Sequence, residues 1–433
     1  MGNEKIPQVS GTRDVLPVDT YVKADEPWLR IGHYHLVEDA ARTLFPLYGY
    51  QEARTPILER TELFARGVGE GTDIVGKEMY TFDDGVDGKT TSVTLRPEGT
   101  AAIVRAYVQH NLQVAGGETK WWYTGPMFRR ERQQKGRYRQ FTQIGVEAFG
   151  SPGPRVDVEQ IEMLHRWLSA LGLKFAMHIN TLGDGDTRPR WKAALQEYLR
   201  ARKDQLTKDS QERIETNPIR VLDSKFDKPE ILAEAPKIDA FLSETAKKHF
   251  DGLQEGLTRL HVPFVVDARL VRGLDYYTLT TFEAIATEGL GAQSTIAGGG
   301  RYDGLVRLLG GGDVAGVGFA AGLERIALLC AAQNREATTR PVVFIAPLGD
   351  AEAAKADELG QALRAAGLAV EVSFRKSNVG NQLKRADALK ARFALVLGES
   401  ELASGKAKLK ELATGAQHEI ELQSLAESVK KLL

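Results

Sequence analysis

The segment Trp121–Gly150, WWYTGPMFRRERQQKGRYRQFTQIGVEAFG, holds the residues best suited to chemistry. Six basic residues, Arg129, Arg130, Arg132, Lys135, Arg137 and Arg139, fall within eleven positions between two apolar, β-prone arms. Cations packed this closely suit phosphate oxygens. The second arm carries Gln143 and Glu147, four residues apart. Side chains alternate faces along a strand, so these two point the same way. A carboxylate and a carboxamide on one sheet face, beside a cationic loop, suit a cationic or hydrogen-bond-donating small molecule. A half-solvated hairpin with its charges outside is the simpler alternative, but it must also explain six cations in one loop.

Other segments are ambiguous one at a time. GTDIVGK at Gly71–Lys77 begins like a P-loop, but Glu78 stands where magnesium needs a hydroxyl, and the strand–helix context is missing. GVGFAA at Gly316–Ala321 matches a loose dinucleotide fingerprint without its βαβ setting. It reads better as a buried strand turning into the helix Leu323–Ala332, with Arg325 near the helix start. The glycine-dense Gly298–Gly312 is either a pair of flexible turns or backbone packed close to a flat ligand. RGLDYYTLTTFE sets Arg272, Asp275, Tyr276 and Tyr277 before a β-run, where paired tyrosines ordinarily serve packing. RPEGTAAIVRAY puts Glu98 and Thr100 between strand and helix, where Thr100 could simply cap. No Ser/His/Asp or Cys/His nucleophile arrangement is present, and none of the 8 histidines has metal-ligand spacing. The chemistry is therefore binding and electrostatic stabilisation, not covalent catalysis.

These residues need a scaffold. The chain has 433 residues, too many for one core, so two or three domains are expected. Its 42% hydrophobic and 27% charged content is that of an ordinary globular protein. The lone cysteine, Cys330, excludes an internal disulfide and a multi-cysteine zinc site. MGNEKIPQVS lacks a signal-peptide core and no apolar run is long enough for a membrane span, so a cytoplasmic location and no membrane partner are expected. A net charge of −1 argues against a generally DNA-coating protein, and no DNA partner is expected, but local basic patches leave room for another nucleic-acid partner.

Periodicity predicts helices over Trp28–Tyr48, Thr100–Asn111 and Val156–Leu171, with a Gly-rich mobile loop at Leu63–Gly76. Short β-runs joined by hairpins predict a largely antiparallel sheet with helices against one face. From Leu182 to Leu257 the chain turns polar and helix-like, as expected of an inserted module. A boundary near Gln333–Arg340 precedes VVFIAPL, AVEVSF and FALVLG alternating with helices, which predicts a small α/β domain.

Taken together these segments resemble histidyl-tRNA synthetase, a class II aminoacyl-tRNA synthetase, over nearly the whole chain. YGYQEARTPILE is similar to class II motif 1, FRRERQQKGRYRQFTQIGVE to motif 2, and GVGFAAGLER to motif 3. RGLDYY and AGGGRYDGLV resemble the two peptides peculiar to the histidine enzyme. Gln133 and Thr142 depart from the family pattern, which usually has proline and often histidine there. The resemblance implies an α+β fold: an antiparallel class II catalytic core at 1–182 and 258–333, a helical insertion at 183–257, and an anticodon-binding domain at 340–433.

It also implies roles. ATP would activate L-histidine, with Arg129 and Arg272 as catalytic cations at the α-phosphate and Arg137 and Arg325 at the γ-phosphate. Mg2+ is expected on the outer phosphates, with no metal-holding side chains assigned. Glu98, Thr100 and Gln143 would hold the α-ammonium group. Glu147 and Tyr277 would meet the imidazole nitrogens, Tyr276 would shape the pocket, and Arg129 and Arg272 would also border the histidine. Arg132 and Gln134 would approach the 3′ end of the histidine tRNA, and Arg375, Lys376, Lys384, Arg385, Lys390 and Arg392 would serve the anticodon. A homodimer through motif 1 is implied. The rival reading is a catalytically inactive, histidine-sensing regulatory paralogue, which should lack Arg272 or the motif 2 and 3 arginines; this chain has them all.

Overall fold

A computed structural model of the chain describes residues 5–17, 26–69, 72–86, 89–224, 226–271, 274, 276–290, 294–337, 340–375 and 377–433. Contacts divide it into two compact units, Met1–Ala337 and Thr338–Leu433. The strands of the first are β1 (Gln51–Glu52), β2 (Leu58–Arg60), β3 (Tyr80–Val86), β4 (Lys89–Leu95), β5 (Thr119–Phe128), β6 (Gln140–Phe149), β7 (Phe175–Thr181), β8 (Val265–Val266), β9 (Thr278–Ala286), β10 (Thr295–Arg301) and β11 (Gly316–Gly322). Eight form one sheet in the order β1-β5-β6-β11-β10-β9-β7-β8, and β2-β4-β3 form a small second sheet. In the large sheet only the outer pairs, β1–β5 and β7–β8, are parallel. The antiparallel centre is the arrangement expected from the hairpins.

The central strands are amphipathic in the period of two. Ile144, Val146 and Ala148 of β6 and Val317, Phe319 and Ala321 of β11 face one side. There they meet the helices Ile31–Leu44, Arg155–Ala170 and Leu323–Ala332 through Val37, Ile161, Leu164, Trp167, Ile326 and Cys330. Trp167 is fully buried, edge-on to Phe45 at 5.3 Å between ring centroids. The alternate residues, Phe141, Gln143, Gly145 and Glu147 on β6 and Gly318, Ala320 and Gly322 on β11, face the opposite side. Register sets Gly318 beside Glu147 and Gly322 beside Gln143, so glycine lies next to each polar side chain.

Two expectations are revised. The helix predicted over Trp28–Tyr48 is regular only at Ile31–Leu44, with 3-10 turns carrying Pro27 and Pro46 at its ends. Within the stretch expected as a mobile loop, Leu63–Gly76, the chain is helical over Thr61–Val68 and again over Ile74–Glu78, because Leu63, Phe64 and Val68 bury against Ile74 and Ala101; Glu70 and Gly71 lie outside the described residues. Gly67 sits on the first of these helices among apolar residues spaced for one helical face.

Trp191, Leu195, Leu199, Ile214, Leu222 and Ile231 of the polar stretch pack together on the helices and turns between Thr187 and Ala233. The helix Glu244–Arg259 behaves differently: Leu253 and Leu257 enter the main core, and Gly256 lies so close to Val158 that a Cβ would overlap it. A composition boundary at 257 therefore separates a helix that packing joins to the core.

The second unit holds β12 (Val343–Pro347), β13 (Val370–Val372), β14 (Phe393–Leu397), β15 (Lys406–Glu411) and β16 (Gln417–Glu421), ordered β13-β12-β14-β15-β16. The first three are parallel, as the strand–helix alternation predicts, and β15–β16 adds an antiparallel hairpin.

Beneath the large sheet lies an ion pair. Arg301 and Asp157 are both fully buried; Arg301 Nε donates to Asp157 at 3.2 Å and its Nη2 donates to the second oxygen. Arg301 also donates to the carbonyls of Ser151 and Gly153, each at 2.9 Å, and to Asp303 at 3.0 Å. Burial alone would raise the Asp157 pKa, but hydrogen bonds from His249 and Arg301 outweigh it and hold the carboxyl below its ordinary value. A depressed carboxyl pKa means stability that is present above the ordinary carboxylate range and lost as the pH falls through the folded value. Asp157→Asn leaves a buried guanidinium unbalanced and should cost about 3–5 kcal/mol in urea unfolding at neutral pH. An unchanged midpoint would remove this pair from the fold's supports.

Candidate functional site

The sheet face turned away from the core helices floors a cleft. Gln143 of β6, Gly298 of β10 and Ala320 and Gly322 of β11 form its base, and the hairpin loop supplies Arg129, Glu131 and Arg137. Glu98 and Thr100 enter from the start of the helix Thr100–Gln109, Tyr276 and Tyr277 from the approach to β9, and Arg325 from the helix after β11. Of the sequence-predicted residues, Arg129, Arg137 and Gln143 of motif 2, Arg325 of motif 3 and Glu98 and Thr100 of the RPEGT segment thus converge.

The cationic side is tightly built. Arg129 donates from Nε to the Pro97 carbonyl at 2.8 Å, and its guanidinium lies 5.2 Å over the Phe141 ring. Arg325 donates to the Thr295 carbonyl at 2.6 Å and to that of Gly136 at 3.3 Å. Glu131 lies between Arg137, at 2.9 Å, and Arg129, at 3.6 Å. Burial lowers the Arg325 pKa from its ordinary value, and the neighbouring Arg137 and Arg129 push the same way. Three guanidiniums held together with one carboxylate between them form a site that calls for a further anion, and their planar forks suit phosphate.

The opposite side is polar and dry. Both Glu98 oxygens are committed: one accepts from the Thr100 N–H at 2.7 Å, the other from that of Ala101 at 2.8 Å. Glu98, rather than Thr100, thus satisfies the first two N–H groups of the helix, from the residue before its N-cap Gly99. Burial raises its pKa against these two bonds. The Thr100 hydroxyl is left to donate to Glu147 at 2.6 Å. The Gln143 side-chain oxygen is buried without a hydrogen-bond partner among the described residues. An orphaned acceptor on a cleft floor invites an N–H donor from a ligand.

Glu147 is fully buried and presents no surface to the cleft. It accepts from Thr100 and, at 3.4 Å, from Tyr123 on one oxygen, and from Tyr302 on the other. Burial pushes its pKa up to about 8, with the hydroxyls opposing. The Tyr276 and Tyr277 rings lie 4.6 Å apart and Tyr276 is edge-on to Tyr302 at 5.7 Å. Arg188, from the helix Thr187–Arg200, donates to the Tyr277 carbonyl at 2.9 Å and so ties the polar helical segment to the site.

Arg132 and Gln134 are exposed on the hairpin loop rather than on the cleft wall. Gln134 and Arg137 exchange backbone hydrogen bonds of 3.3 and 2.9 Å that close the loop. The expectation for Arg272 falls outside the described residues.

Sequence reasoning missed Glu131, Phe141 and Glu324. Glu131 was legible as the single acid among the loop cations. Phe141 precedes Gln143 by two and so shares its face. Glu324 accepts from the Thr142 N–H at 2.7 Å and burial pushes its pKa up to about 7; nothing in its local sequence marks it. Among the described residues no group of three or more His, Cys, Asp or Glu could hold a metal ion.

Comparison with known proteins agrees with this geometry. The family model described as Histidyl-tRNA synthetase matches residues 30–326, and that described as Anticodon binding domain matches 342–432. The histidine–tRNA ligase of Synechocystis sp. is 46% identical over 429 residues, 99% of this chain and 93% of that protein. That of Anaeromyxobacter dehalogenans is 46% identical over 427 residues, 98% of this chain and 99% of that protein. The crystal structure of apo S. aureus histidyl-tRNA synthetase superposes with a TM-score of 0.79 at 35% identity, covering 98% of this chain and 100% of that one. With motif residues converging on one cleft and similarity running through both units, the chain belongs to the histidyl-tRNA synthetase family.

Proposed function

We propose that this cleft is where L-histidine is activated, with the side chains around it in the roles derived below. The chain is a histidine–tRNA ligase and uses ATP as substrate. A histidine carboxylate oxygen attacks the α-phosphorus, the bond to the bridging oxygen breaks, and pyrophosphate leaves. The terminal hydroxyl of the tRNA then attacks the activated carbonyl and AMP leaves.

The observation that carries the reading is the pairing, in one cleft, of three converging guanidiniums with the orphaned carboxamide oxygen of Gln143. Arg129 stabilises charge developing on the α-phosphate, while Arg137 and Arg325 bind the outer phosphates. Arg272 adds a second cation at the α-phosphate, on the strength of the motif alone. The Phe141 face offers a surface for the adenine ring. Gln143, Glu98 and Thr100 receive the α-ammonium group. Glu147 and Tyr277 read the imidazole. Because Glu147 is covered in this structure, the side chains above it must yield to admit the ring. A buried polar reader of this kind rejects apolar amino acids, which would leave it unpaired.

Mg2+ accompanies the nucleotide in this reading. Glu131 and Glu324 are oxygen donors on the cleft, hard cations prefer oxygen, and these two would hold the ion together with phosphate oxygens and water. Its chemistry is neutralisation of the outer phosphates.

The tRNA acceptor end meets the exposed Arg132 and Gln134, the helical segment within 183–257 flanks its stem, and the unit at 340–433 reads the anticodon. The match of that unit to an anticodon-binding family supports the last assignment. The half-exposed Ile57, Leu58 and Phe82, on and beside the small sheet, support a homodimer through that surface. Among the described residues no helix is long and apolar enough to cross a membrane, in keeping with a cytoplasmic enzyme.

Histidine-dependent ATP–pyrophosphate exchange tests the reading, and folded protein without exchange would overturn it. Arg129→Ala and Arg272→Ala should each slow exchange by about 10²–10³, the scale of losing one transition-state donor; a rate within a few-fold of the parent would remove that arginine from its role. For Glu147→Gln the defect should appear in the histidine KM, with the ATP KM little changed. In the C-terminal unit, Arg375→Ala should raise the tRNA KM several-fold by losing a phosphate or base contact, and exchange should be untouched.

A further inference from the structure

The loop Arg129–Arg139 carries two of the three cleft guanidiniums, but the bonds between Gln134 and Arg137 fix only its own turn. Its near end is tied down by the Arg130 N–H, which donates to the Glu78 carbonyl at 2.7 Å. Its far end is held by a peptide from the start of the chain. The Arg139 N–H donates to the Gly11 carbonyl at 2.7 Å, while the Arg139 carbonyl accepts from the Arg129 N–H at 2.9 Å. Trp28 Nε1 donates to the Tyr138 hydroxyl at 3.1 Å in a buried bond, and the Arg13 guanidinium lies 5.4 Å over the Tyr138 ring. Gln133 Nε2 donates to the Ser10 hydroxyl at 2.7 Å. We propose that Ser10–Arg13 and Trp28 form a strap of positioning residues for ATP, which holds Arg137 at the outer phosphates from outside the cleft. The inference rests on the reading of Arg137 and Arg325 as the cations for those phosphates.

The strap is anchored on the element that carries Arg325. Trp28 and Leu29 pack against Leu328 and Ala331 of the helix Leu323–Ala332. The Leu16 N–H donates to the Leu29 carbonyl and the Ile31 N–H to the Leu16 carbonyl, each at 2.9 Å. Arg13 donates to Glu26 at 3.1 Å. Arg325 itself reaches the loop through the Gly136 carbonyl. The loop is therefore held between Arg325 and a strap fixed to the helix of Arg325, and this sets the separation of the two outer-phosphate cations. Ser10, Gly11, Arg13 and Trp28 do not line the cleft, so their effect on a ligand must pass through the loop.

Gly11 is the point of closest approach. Its φ is +91°, and a Cβ there would lie 2.6 Å from Cδ and 2.7 Å from Cγ of Arg139. A side chain at this position is strained by the backbone and pushes strap and loop apart. A loop that orders only on binding weakens affinity by the entropy of ordering, and a loop held in advance does not. That difference falls on ligands that reach Arg137. ATP and pyrophosphate carry the phosphates that would do so. AMP lacks them, and histidine is held on the other side of the cleft.

The test uses Gly11→Ala and Tyr138→Phe in the full chain, the second keeping the ring and deleting the acceptor of the Trp28 bond. In ATP–pyrophosphate exchange each should raise the KM for ATP and for pyrophosphate about fivefold, the scale of one hydrogen bond. The histidine KM, the inhibition constant of AMP and the thermal midpoint should stay near those of the parent. Tyr138 lines the cleft and Gly11 does not, so Gly11→Ala separates a strap from a direct contact. An unchanged ATP KM in Gly11→Ala, or AMP and histidine weakened as much as ATP, would overturn the proposal. Arg137→Ala tests the reading beneath it. If that variant raises the KM for ATP and pyrophosphate and the strap variants do not, the positioning role fails alone. If it changes neither, the outer-phosphate reading of the loop fails and the strap's role falls with it.

Discussion

Everything at the site depends on one constraint: the strict alternation of side chains in the antiparallel ladder β5-β6-β11. It lets a ten-residue strand serve two solvents at once. Ile144, Val146 and Ala148 anchor β6 to the core helices, and Gln143, Gly145 and Glu147 are thereby forced to the other side. A register slip of one residue would drive Glu147 into the apolar core and Val146 into the cleft. The position of the reactive groups is therefore guaranteed by hydrophobic burial on the face where no chemistry happens.

The cations of the cleft are held in place by the protein itself. Arg129, Arg137 and Arg325 would repel one another if left alone, and Glu131 sits between two of them. Backbone carbonyls of Pro97, Thr295 and Gly136 fix the guanidiniums of Arg129 and Arg325. A polyphosphate arriving here meets donors whose orientation is already set, so little reorganisation accompanies charge transfer to the leaving group. The buried carboxylates differ in what satisfies them. Glu98 is spent on the first N–H groups of a helix, Glu147 on three hydroxyls, and Asp157 on a buried arginine and histidine. Only the last has its pKa held low, because His249 and Arg301 hydrogen-bond it directly and outweigh its burial.

How legible this was in the chain follows from the range of the signals. Period-two and period-3.6 patterns are local, so β6, the helix Arg155–Ala170 and the α/β alternation after Pro341 could be read from neighbours in sequence. The placement of Gln143 and Glu147 on one face followed in the same way. What could not be read depends on contacts across the fold. Glu98 satisfies the first N–H groups of a helix that Thr100 was expected to cap, while the Thr100 hydroxyl donates to Glu147, 47 positions away. Tyr302 reaches the same carboxylate across 155 positions. The helix Glu244–Arg259 is as polar as its neighbours, yet a narrow apolar stripe joins it to the core. Glycine density was a misleading local signal within Leu63–Gly76, where it suggested a loop although Thr61–Val68 and Ile74–Glu78 are helical.

Cys330 lies in the middle of the helix behind β11, fully buried, with burial pushing its thiol pKa up to about 11. It is the only sulfhydryl in the chain. A thiol that is neither ionised nor accessible does not meet peroxide or disulfide exchange. The folded protein is thus blind to oxidants at cysteine, and it offers a background on which one introduced surface thiol would take a fluorophore or spin label without the native residue having to be removed.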